Sequence, residues 1–126
     1  MKIPTLIALL ILTGCAAKFS QINYNRIVDV VVVSRDQDTV CATRDSMKTA
    51  FDKMHKDTVH ALEDSAGRKD KDLVTMLTNQ LDEIDRFETL FVKGPVSPMF
   101  CKQKVRNIYD TAKLIAIEEG NKLKLP

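Results

Sequence analysis

Apolar residues return every three or four positions through most of this chain, which is the period of helices lying on a shared core. Val40, Met47, Phe51, Met54, Thr58, Ala61 and Leu62 form a first stripe, with Lys48, Asp52, Lys53, Lys56, Asp57, Glu63 and Asp64 mostly off it. Ser34 and Gln37 stand at capping-box spacing, and Asp36 suits the positive end of a helix, so this helix is predicted to begin there. Gly67 is expected to end it in the left-handed region. A second stripe runs through Leu73, Met76, Leu77, Gln80, Ile84, Phe87 and Phe91 until Gly94, Pro95 and Pro98 interrupt the pattern. Ser97 then serves as N-cap and Pro98 as first turn of a third helix, striped by Cys101, Val105, Ile108, Tyr109, Ala112, Ile115 and Ala116 and closed by Gly120. Three amphipathic helices joined by short turns predict an all-α fold, an antiparallel three-helix bundle.

Ile27 to Val33 fits this pattern less well. Its β-branched density, with four valines in a row, favours a strand, yet no second clear strand follows to pair with it. Two readings stay open: a helical or extended segment packed on the bundle, or a short strand that pairs with another chain. Ala16 to Asn25 is polar and aperiodic and reads as a tether.

The first fifteen residues carry a different pattern. Lys2 precedes an uncharged, mostly apolar run from Ile3 to Leu12, followed by Thr13, Gly14 and Cys15. This is the layout of an export signal, and the run is far short of the roughly 20 apolar residues that a spanning helix needs. Pro4 also suits a processed leader better than a helix interior. Leu12, Thr13, Gly14 and Cys15 resemble a lipobox, and through it the chain resembles the bacterial lipoproteins as a class. The resemblance covers the signal only. It implies that Cys15 is acylated with palmitate-type chains, that residues 1–14 are removed, and that lipid tethers the new first residue to a membrane. Two or more acyl chains suffice for stable anchoring. By analogy with enterobacterial sorting, Ala16 in place of Asp favours the outer membrane over the inner. The expected organisation is thus a signal peptide at 1–14, a lipidated tether at 15–26 and one helical domain at 27–126.

Charge narrows the partners. Of 126 residues, 19 are basic and 17 acidic, a formal charge of +2 that falls to about +1 without Lys2, and the two signs are interspersed. Nucleic acid is not an expected partner, because it requires a concentrated basic face. No polybasic segment flanks the anchor, so lipid rather than charge would hold the protein at a membrane. With Cys15 committed to lipid, Cys41 and Cys101 remain, and in an exporting compartment their expected state is a mutual disulfide. Both lie near the starts of helices that run parallel in an up-down-up bundle, so the pairing agrees with the helix pattern. It would also pin the Gly94 to Pro98 turn near the lipid-proximal end.

Little in the sequence points to chemistry. His55 and His60 are five residues apart, about 140° around a helix, and cannot share one metal ion. Asp52 is one turn from His55, but no nucleophile stands at a motif position. Asp36 and Asp38 begin like a calcium loop that lacks its glycine and terminal glutamate. Asp82, Glu83 and Asp85, like Glu118 and Glu119, read as solvated faces. Met47, Met54 and Met76 with Phe51, Phe87 and Phe91 read as core rather than a ligand groove. The expectation is therefore a non-enzymatic lipoprotein without cofactor or catalytic residues, facing the periplasm and engaging an envelope protein through Ile27 to Val33 and the Gly94 to Phe100 turn. An exclusion or lysis lipoprotein of a phage or plasmid is the alternative, testable by its effect on phage or plasmid uptake.

Overall fold

The computed structural model describes residues 18–124, and within them the chain is all-α. The proposed signal, the lipobox and Cys15 lie outside the described residues. Four long helices, α1 (Gln21–Arg35), α3 (Arg44–Gly67), α4 (Lys71–Lys93) and α5 (Pro98–Asn121), surround one core, with a single turn, α2 (Gln37–Val40), between the first two and a short 3₁₀ turn at Lys122–Lys124. Each long helix packs on two others, in the ring α1–α3–α4–α5 that closes back on α1. Sequential neighbours run antiparallel, as short connections require.

Where the expected three helices become four, the added one is α1. Asn23, Ile27, Val30 and Ser34 are its buried positions, at intervals of four, three and four. Ile27 to Val33 is therefore helix, neither strand nor extended segment. The tether expected at residues 15–26 is also shorter, because Ser20 caps α1 by accepting the Asn23 N–H at 3.2 Å and residues 21–26 belong to the helix. Ser34, expected to start a helix, lies inside the last turn of α1 and donates to the Val30 carbonyl at 2.6 Å. Asp36 caps α2 instead, accepting from the Thr39 N–H and hydroxyl. The cap of α3 is Thr43, in a reciprocal capping box with Ser46 at 3.0 Å in both directions. Closely spaced caps thus cut one expected helix into α2 and α3.

The later boundaries follow the expectation closely. Asp70 caps α4 through the Leu73 N–H, and Ser97 caps α5 through the Phe100 N–H, with Pro98 in the first turn. Two details differ. The left-handed residue after α3 is Lys69, with φ 58°, and not Gly67; α5 passes through Gly120 to Asn121.

The core has two apolar parts. Toward the end of the bundle that holds the α4–α5 turn lie Val30, Met47, Phe51, Met54, Ile84, Phe87, Cys101, Val105 and Ile108; toward the other lie Ile27, Ala61, Leu73, Leu77 and Ile115. Between them the Gln80 Nε2 donates to the Thr58 hydroxyl at 2.9 Å, both side chains buried. The Gln80 Oε1 has no partner. Thr58→Val should destabilise the protein by about 1–3 kcal/mol, because the whole Gln80 amide is then buried unpaired. Adding Gln80→Leu should recover most of that loss in urea unfolding; a double variant less stable than the single would contradict this account.

Candidate functional site

The end of the bundle where the chain enters is built around buried charge. Glu119, on the last turn of α5, is completely buried, and its Oε1 accepts the Ser20 backbone N–H at 2.8 Å. Lys122 donates to the other Glu119 oxygen at 2.6 Å and pairs with Asp70. Arg68 lies 3.4 Å from Glu119, pairs with Asp64 at 2.8 Å and donates to the Lys18 carbonyl at 2.6 Å. Buried Asn23 completes the set, its side-chain amide hydrogen-bonded to the Ser65 hydroxyl at 3.1 Å. A buried carboxylate persists only when its charge is answered, and here a guanidinium, an ammonium and a backbone N–H answer it. The consequence is positional: Lys18 to Ser20 are tied to the closing turns of α3 and α5. Glu119, read from the sequence as part of a solvated acidic face, is instead the centre of this cluster. Nothing local marked it, since its burial depends on α1 crossing over it.

The opposite end holds the cysteines. Cys41, just past α2, and Cys101, on the first turn of α5, have Cα atoms 5.8 Å apart and sulfurs at 2.05 Å, the geometry of a disulfide. The Gly94–Ser97 turn is beside them: Arg44 spans it, stacking at 3.9 Å on the Phe91 ring while donating to the Phe91 and Gly94 carbonyls. Lys18 to Ser20 meet the C-terminal end of α3, whereas Cys41 lies before its N-terminal end, and 24 residues of helix span about 36 Å. The disulfide and the turn therefore lie at the end remote from the chain's entry, whereas the up-down-up reading places them beside it.

This remote end carries apolar surface. Val92 and Met99 are 80% and 82% exposed, and Leu90 is half-exposed. A shallow depression of about 400 Å³ lies among Leu90, Lys93, Pro95, Val96 and Phe100. A second, of about 510 Å³, is floored by Val32, Val33, Val40 and Ala50 and rimmed by Asp36, Asp45 and Lys53. Of the two elements expected to engage a partner, Ile27 and Val30 are in the core, while the Gly94 to Phe100 turn and the Val32–Val33 edge of α1 are accessible. Met47, Phe51, Met54 and Phe87 are buried core, as expected, and Met76 and Phe91 are partly buried against it.

The two histidines separate. His60 is exposed, and its backbone carbonyl accepts from Arg26. His55 faces α4, its Nε2 3.2 Å from the Asp85 carboxylate, with the Glu88 carboxylate within reach of both. Partial burial raises the Glu88 carboxyl above its ordinary value; His55 and Lys48 oppose that shift, and Asp52 and Asp85 add to it. The Glu88 Oε1 is covered and accepts no hydrogen bond. Beside Glu88 opens a groove of about 310 Å³ between α3 and α4, lined by Arg44, Met47, Lys48, Phe51, Asp52, Phe87, Phe91 and Val92. No hydroxyl or thiol is among these residues.

Among the described residues, no helix is long and apolar enough to cross a membrane. No family model, curated protein or solved structure matches the chain.

Proposed function

We propose that this chain is a lipid-anchored, non-enzymatic lipoprotein of the bacterial outer membrane, facing the periplasm, which holds an envelope protein partner at the remote end of its helical bundle. The observation that supports this most directly is the fastening of Lys18 and Ser20 to Arg68 and Glu119. Lys18 is three residues from Cys15, a span of at most about 11 Å. A lipid on Cys15 would thus keep the entry end of the bundle at the headgroups. Exposed Ile22, Ile117 and Leu123 are toward this end and suit an interfacial position. The bundle then extends about 36 Å from the membrane and presents Leu90, Val92 and Met99 outward, where a partner would cover them.

Two measurements test the reading. Intact mass of protein from bacterial membranes should begin at Cys15 and include acyl chains, and Cys15→Ser should move the protein from the outer-membrane to the soluble fraction. A mass beginning at Met1, or a Cys15→Ser variant still bound to membranes, would overturn the anchor. Photo-crosslinkers placed at Val92 and Met99 should give discrete protein adducts in cells, whereas one at Lys71, at the entry end, should not. Equal adducts from all three positions, or none, would overturn the assignment of the partner surface.

A further inference from the structure

We propose that His55, Asp85 and Glu88 form a binding site for one divalent transition cation of the zinc class, bridging α3 and α4. Asp85 and Glu88 stand three residues apart on one face of α4, opposite His55 on α3, and one ligand atom from each lies within 4.8 Å of the others. Zinc bonds of 2.0–2.2 Å hold neighbouring ligand atoms roughly 3.4 Å apart in a tetrahedral site. The His55 Nε2 to Asp85 Oδ1 separation of 3.2 Å already meets that requirement, and the Glu88 carboxylate, within 4.8 Å of both, would have to close in as the third ligand.

A solvated ion pair alone does not account for this arrangement. Asp85 alone pairs with the imidazole, Glu88 lies beside that pair, and the covered Oε1 of Glu88 accepts no hydrogen bond. Asp52, which lines the same groove, adds further negative charge that acts on Glu88, and Lys48 offsets only part of it, being paired with Asp52 at 2.9 Å. A cation would supply both the missing partner for Glu88 and the missing positive charge. The donor set selects its class. One imidazole nitrogen with carboxylate oxygens suits zinc and its transition-metal neighbours; magnesium and calcium prefer oxygen alone, and copper(I) prefers thiolate or thioether. Three protein ligands leave the fourth position to water. The site is independent of whether Cys15 carries lipid.

Isothermal titration of zinc chloride into the full chain, purified in detergent without a histidine tag, tests the assignment. One zinc ion per chain is expected, and zinc should raise the melting temperature. Loss of an outer-shell partner of a metal ligand already weakens binding about 10–100-fold, so His55→Ala and Glu88→Gln should each weaken it at least tenfold and abolish the thermal shift. His60→Ala should leave both unchanged. Circular dichroism verifies that each variant is folded. Wild-type binding no tighter than that of the His55→Ala variant, or an equal loss in His60→Ala, would overturn the proposal.

Discussion

Phe87→Ala is expected to lower the unfolding free energy by about 3–5 kcal/mol, the range for removing a large buried aromatic. Phe87 is 1% exposed, and its ring lies face to face with Phe51 at 3.7 Å between centroids and 10° between planes. Phe91 and Phe100 flank it at 6.1 and 6.2 Å. One ring therefore joins α3, α4 and the start of α5, and its loss removes transfer free energy and leaves a void that three helices cannot easily close. A single domain has only about 5–15 kcal/mol in total, so the variant should be marginal at 37 °C. Phe91→Ala makes the comparison informative: that ring is only partly buried and carries Arg44 on one face, so its loss should cost less than that of Phe87. Guanidinium unfolding of the two variants tests the ordering, and an equal or reversed cost would show that the stack does not organise this end of the core.

Reducing the Cys41–Cys101 bond should destabilise the protein by about 4 kcal/mol. The bond closes a loop with a sequence separation of 60, and the cost arises chiefly because the unfolded chain regains the freedom that closure denied it. For a domain of this size the melting temperature should fall by roughly 15 °C or more. A paired Cys41→Ala, Cys101→Ala variant should reproduce the effect of reductant and be insensitive to it. Retention of the wild-type melting temperature by that variant would mean that residual structure already restricts the unfolded ensemble without the bond. Because Cys101 and Phe87 belong to one apolar cluster, combining their losses should depart from simple addition. Protein produced in a reducing cytosol should resemble the reduced form.

The two perturbations act at one end of the bundle, the end proposed above for partner binding, whereas the entry end depends on charge. Glu119, Lys122, Asp70 and Arg68 stabilise a junction, and apolar stacking stabilises the remote face. Their separation should allow the proposed partner surface to be altered at Val92 or Met99 without disturbing the seating of Lys18 to Ser20.

Neighbouring residues were enough to place much of this molecule. The end of α4 and the start of α5 were legible because Ser97, Pro98, Gly94 and Pro95 act on the chain within a turn of themselves, and the stripes of buried positions on α3, α4 and α5 follow the helical period alone. The meeting of Cys41 with Cys101 could be argued from the same parallel helices. Where local signals competed, the sequence left two readings open. Four consecutive valines look equally apolar all round, so periodicity was silent over Ile27 to Val33; contacts with α3 and α5 decided for helix, and the positions that reveal its phase, Asn23 and Ser34, are polar. The same addition of α1 reversed the placement of the disulfide relative to the chain's entry. It also drew Glu119 out of an apparently solvated acidic pair and into a buried site where Arg68, Lys122 and the Ser20 N–H answer its charge. His55, Asp85 and Glu88 met for a related reason: residues 30 positions apart in sequence come together only when the ridges of two antiparallel helices settle into register. Caps, breaks and stripes are thus properties of a few adjacent residues, whereas which faces meet, which end the chain enters and which charges are buried depend on long-range packing that no local pattern encodes.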